Sequence, residues 1–110
     1  MSEPVIYAVT VEVDPEAEKA WDDWNTRHHI PDVLKEPGFL RATKYRARPS
    51  GEGWPTYVVH YELENEAAVD AYLAGEAVVR LRNDHLSRFA NVTRLSRTIL
   101  LPTASLERGS

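Results

Sequence analysis

The chain has 110 residues, 43% of them hydrophobic and 27% charged, with a formal net charge of −4 and a pI near 5.5. That length holds one domain, and its acidic balance excludes nucleic acid and anionic membrane surfaces as expected partners. Cysteine is absent, which excludes disulfides, thiol nucleophiles and cysteine-ligated zinc or iron–sulfur clusters together. No apolar run approaches the ~18 residues that span a bilayer, and residues 1–3 open no secretory signal pattern, so the chain is expected to be cytoplasmic.

Residues 5–13 are rich in β-branched side chains and predict a first strand. Asp14-Pro15-Glu16 reads as a helix start, with a capping carboxylate, proline at the first helical position and an acidic first turn. Ala17, Ala20, Trp21, Trp24 and His28 then share one face at three- and four-residue spacing. Ile30 precedes Pro31, which disfavours helical angles, so the helix is expected to stop near His29, before a short turn over 32–35. Residues 39–48 and 54–64 predict two strands paired as a hairpin through the Pro- and Gly-rich segment 49–53. Asn65 caps a helix to about Ala74 with Ala68, Val69 and Tyr72 inward, and Gly75 interrupts it. A helix over 76–89 aligns Val78, Leu81, His85 and Phe89, and 92–101 is the last strand. Residues 1–102 read as a single domain and 103–110 as a flexible tail.

The order β-α-β-β-α-β is the ferredoxin-like α+β arrangement around an antiparallel sheet. Helices on one side would leave one sheet face to water, and that face should be polar. Here Val5, Tyr7, Val9 and Val11 are backed by Ile6 and Ala8, and Tyr57, Val59, Tyr61 and Leu63 by Val58 and His60. A second copy of the sheet is the simplest cover, so a homodimer is expected.

Trp21-x-x-Trp24, His29-Ile30-Pro31-Asp32, Pro37-Gly38-Phe39, the hairpin, Tyr61-Glu62 and Val92-Thr93-Arg94 follow one another in a familiar order. The chain resembles the dimeric α+β barrel superfamily, and within it the EthD-like branch, over roughly residues 5–102. That superfamily includes cofactor-free monooxygenases, muconolactone-type isomerases, polyketide cyclases, haem-handling enzymes and stress-response proteins. The resemblance implies a pocket between sheet and helices that takes a small apolar or aromatic ligand. It also places a histidine before a proline at this point, which falls on His29.

Histidine is the side chain whose ordinary titration lies near neutrality, so a general base is sought among His29, His85 and His28. Each also has a structural reading: His28 and His85 as core histidines, His29 as a cap on the helix end. His60, in mid-strand, reads as structural. Tyr57, Tyr61 and Tyr72 suit a phenolic or keto ligand, because a buried hydroxyl needs a partner. Arg41 and Tyr45 are further candidates for holding substrate oxygens, and Trp24 and Trp54 for shaping the pocket. No spacing supports a zinc site and no glycine-rich phosphate loop occurs, so no cofactor is expected. Haem, with His85 as axial ligand, is the alternative that the resemblance leaves open. Six acids lie within residues 12–23 and arginines dominate after residue 80, which suggests either solvated faces or complementary subunit edges.

These features lead to an enzyme of acid–base type, an isomerase, cyclase, dehydratase or lyase acting on an aromatic or polyketide-like carbonyl compound. A cofactor-free monooxygenase of an activated phenol and a non-catalytic small-molecule-binding or stress-response dimer are the alternatives.

Overall fold

A computed structural model describes residues 3–109. Strands Val5–Val13 (β1), Phe39–Arg46 (β2), Thr56–Leu63 (β3) and Thr93–Leu100 (β4) form one antiparallel sheet in the order β2-β3-β1-β4. Helices Glu18–Trp24 (α1), Ile30–Leu34 (α2), Glu66–Ala74 (α3) and Glu76–Phe89 (α4) accompany it. This is the ferredoxin-like βαββαβ arrangement. Its least dimension is 20 Å against 44 and 40 Å, the thickness of one sheet and one helical layer.

Alternation along β1 and β3 puts Val5, Tyr7, Val11, Val13, Tyr57, Val59, Tyr61 and Leu63 beneath the helices, where all are buried. Val33, Val69, Tyr72, Val78 and Leu81 pack onto one part of this surface, Trp21 and Trp24 onto the other. Each fully buried aliphatic or aromatic side chain contributes roughly 1.5–3 kcal/mol. The opposite face carries Ile6, Ala8, Thr10, Val58, His60 and Tyr45, joined by the register pairs Ala8↔His60, Thr10↔Val58 and Tyr45↔Val58. No element among the described residues lies over it, and Tyr45 is 51% exposed.

Local signals place the second half of the chain closely. Asn65 accepts a hydrogen bond from the Ala68 amide at 2.9 Å, and α3 ends at Gly75. Val78, Leu81 and His85 form the buried stripe of α4. Gly38, at φ +89°, turns the chain from α2 into β2 so closely under α3 that a Cβ there would lie 2.7 Å from the Ala68 Cβ.

The first helix departs from expectation. Asp14 Oδ1 accepts from the Glu16 amide at 2.9 Å, but it caps a turn, and α1 begins only at Glu18. Ala20 is exposed. The helix does not stop before Pro31: Ile30 is helical at φ −59°, ψ −47°, and α2 runs on to Leu34. Between them, Asn25–His29 is a π-helical turn in which the Ile30 amide donates to the Asn25 carbonyl. Pro31 offers no amide and its ring crowds the carbonyl four residues back; widening the preceding turn relieves both constraints. The extra residue shifts the inward face by one position. His28 is therefore exposed rather than on the buried stripe, Asn25 is buried, and His29 turns inward.

Candidate functional site

A cavity lies between the helices and the sheet, with about 510 Å³ of empty space including its open mouth. Val9, Val11, Val59, Leu81 and Leu95 make its apolar wall, and Tyr7, Tyr61 and Tyr72 line it with phenols. Tyr7 is centred 6.3 Å from Tyr61 on the neighbouring strand and 5.9 Å from Tyr72 on α3.

The polar groups come from separate elements. His29 leaves the π turn and stacks on Trp24 at 4.8 Å between ring centres; His85 comes from α4, 5.7 Å from the same indole. The two imidazoles are 6.2 Å apart. Trp21 enters from α1, Asn25 from the π turn, Arg82 from α4 and Arg97 from β4. The Arg82 Nη2 donates to the Tyr7 hydroxyl at 2.9 Å. Among the described residues, five buried side-chain polar atoms lack a hydrogen-bond partner: Trp21 Nε1, Asn25 Oδ1, His29 Nδ1, Arg82 Nε and His85 Nε2. All five belong to residues lining this one cavity.

Burial lowers the pKa of both histidines from the ordinary 6.5. His85 falls to about 4, with His29 and Arg97 adding to the effect of burial. His29 is lowered by burial too, but Asp84 and Asp32 oppose the change. Both rings are therefore neutral at pH 7 and able to accept a proton or a hydrogen bond. Burial pushes Tyr72 up to about 12 and Tyr61 further, so both phenols stay protonated as donors.

Of the residues singled out from sequence, His29, His85, Tyr61 and Tyr72 line the cavity. Trp24 lies behind the two histidines as their stacking surface. The others are elsewhere. His28 is exposed, displaced by the π turn. Arg41 and Tyr45 face away from the helices, Arg41 in an ion pair with Glu62 at 3.4 Å and Tyr45 against His60 at 5.3 Å. Trp54 sits by the β2–β3 hairpin under the Arg94 guanidinium, 4.1 Å from its ring. Tyr57 shares the inner sheet face, but its hydroxyl donates to Glu18 at 2.6 Å in the Trp21 cluster. Sequence reading missed Asn25, Arg82 and Arg97 and took Tyr7 and Trp21 as core. Strand parity signals Tyr7 and Arg97, and Arg82 lies one helical turn before His85.

Among the described residues no three His, Asp or Glu side chains are grouped as a metal site. Also among the described residues, no helix is long and apolar enough to cross a membrane.

Residues 4–103 match the model of a family described as a domain of unknown function, DUF4286. No curated protein matches the chain. Among solved structures it is similar to an ethyl tert-butyl ether d (EthD) family protein from Bacillus halodurans, with 16% identity, a TM-score of 0.71 and coverage of 90% of this chain and 99% of that one. It is similar to SnoaB, a cofactor-independent oxygenase from Streptomyces nogalater, at 15% identity and a TM-score of 0.66, over 99% and 100% of the two chains. A candidate antibiotic biosynthesis monooxygenase from Deinococcus radiodurans gives 19% identity and a TM-score of 0.68 over 96% and 99%. At such identities the likeness concerns the fold, which is that of the dimeric α+β barrels with EthD-like relatives, as the order of tryptophans, His-x-Pro and hairpin suggested.

Proposed function

The chain belongs to the DUF4286 family, and we propose that its cavity is the active site of a homodimeric, cofactor-independent enzyme that removes a proton from a small aromatic or polyketide-like carbonyl compound. One observation carries this reading: among the described residues, the five unpartnered buried polar atoms all belong to residues that line one cavity. Each such atom costs about 1–3 kcal/mol in a fold with no compensating ligand. A bound molecule that hydrogen-bonds to them removes that cost.

His29 is the base, because the two carboxylates that oppose its desolvation leave it the stronger acceptor of the pair. The proton next to the substrate carbonyl passes to His29, and the bonding electrons move onto the carbonyl oxygen as an enolate. The Tyr61 or Tyr72 hydroxyl donates to that oxygen, and His85 accepts a second hydrogen bond from the ligand. Return of the proton at another carbon completes an isomerisation; attack of the enolate on a second carbonyl of the same molecule, whose oxygen then takes the proton from His29, completes a cyclisation. Oxygenation of an activated phenol begins with the same proton loss. The apolar wall of Val9, Val59, Leu81 and Leu95 favours this second reading, as does the likeness to a cofactor-independent oxygenase.

The test is proton exchange. Aryl ketones and 1,3-diketones incubated in heavy water should gain deuterium beside the carbonyl, and His29→Gln should slow the gain by about 10²–10⁴-fold. Oxygen consumption during turnover identifies the oxygenase. Ligands that raise the melting temperature yet show no exchange and no oxygen uptake identify a binding module, and the acid–base reading then falls.

A further inference from the structure

Among the described residues, Arg41, Arg46, Arg80, Arg88 and Arg94 each face a carboxylate within 4.0 Å, as do Lys35 and Lys44. Lys19, Arg27, Arg48 and Arg108 do not, but all four are exposed and lie outside the cavity. Neither Arg82 nor Arg97, the two that line it, has a carboxylate within that distance among the described residues. Arg82 donates to the Tyr7 hydroxyl through Nη2 and keeps a buried Nε without a partner. Accepting that bond leaves the Tyr7 hydroxyl proton free to donate elsewhere. Arg97 stands exposed on β4 at the edge of the same cavity. No Asp or Glu lines the cavity, so its lining holds two guanidinium groups and no carboxylate.

We infer that the ligand of this cavity is an anion: an aromatic or enolisable compound bearing a carboxylate, which Arg82, Arg97 and the Tyr7 hydroxyl bind while its ring lies against Tyr61 and Tyr72. A guanidinium fork matches a carboxylate in shape as well as charge, and a partly desolvated one without a counterion is the stronger for it. The apolar wall accounts for the ring and the arginines for the acid group. This rests on the cavity being a small-molecule site, but not on any reaction occurring there.

Calorimetric titration with salicylate, salicylamide and methyl salicylate tests it, since the three share ring and phenol and differ in charge. Salicylate should bind at least tenfold more tightly than either neutral analogue, and added salt should weaken it alone. Arg97→Gln, at an exposed position that leaves the fold intact, and Arg82→Gln should each reduce that preference several-fold while changing salicylamide affinity less than twofold. Equal affinities, no binding of salicylate at millimolar concentration, or a preference that survives both substitutions overturns the assignment. Because only binding is read, His29→Gln should keep the preference; its loss of deuterium exchange alone concerns the base, and loss of preference in the arginine variants alone concerns the anion.

Discussion

His85 and His29 are neutral where the fold needs them neutral, and this makes the molecule sensitive to acid. In the unfolded chain each binds a proton near the ordinary 6.5, whereas in the fold His85 does so only at about 4. Between those values the unfolded state holds more protons, so stability is complete above pH 6.5 and declines as pH falls towards 4. Unfolding in urea should show about 2 kcal/mol less stability near pH 4.5 than at pH 7, and His85→Gln should remove most of that difference. An equal loss in the variant would mean that carboxylates, not His85, set the slope. The base should follow the same logic: with the His29 pKa lowered by burial, the acid limb of kcat/KM for exchange should lie below that of a free imidazole.

Elements repeat this dependence on a few local conflicts. The capping Asn65, the break at Gly75 and the stripe of α4 are legible because they obey the ordinary helical period. The π turn at Asn25–His29 is not, because face counting assumes 3.6 residues per turn and one extra residue rotates the downstream side chains by about 100°. That rotation decides which of two adjacent histidines enters the cavity. Gly38 makes a second element-level joint, where positive φ and contact with α3 act together. Gly38→Ala should cost about 2–3 kcal/mol in chemical denaturation, from strain and overpacking combined. In an Ala68→Gly background the same substitution should cost only the backbone part, about 1 kcal/mol. Equal costs in both backgrounds would show that the Ala68 contact is immaterial.

At the scale of the whole molecule, two layers leave the sheet face of Ile6, Val58 and Tyr45 without a covering element among the described residues. A second copy seated there is the proposed assembly, and sedimentation at micromolar concentration should give twice 12.5 kDa. Val58→Lys, on that face and away from the cavity, should give a folded monomer. A monomeric parent chain would end the dimer proposal. The acidic stretch near α1 has work within the chain: Glu18 faces Arg46 at 3.2 Å and Asp22 faces Lys44, tying the helix to the edge strand β2. Salt should therefore act on that tie as well as on any subunit contact.

The order of elements, the ferredoxin-like fold, the apolar character of both sheet faces and the candidacy of His29, His85, Tyr61 and Tyr72 could all be read from the residues alone. They rest on local propensity and on alternation, which act over a few residues. Three-dimensional packing was needed to show that His28 points out, that Arg41 and Tyr45 face the other way, and that Asn25, Arg82 and Arg97 join the histidines. A cavity is assembled from residues far apart in the chain, and no local rule governs which of them meet. Their convergence depends on the π turn, which leaves no local pattern.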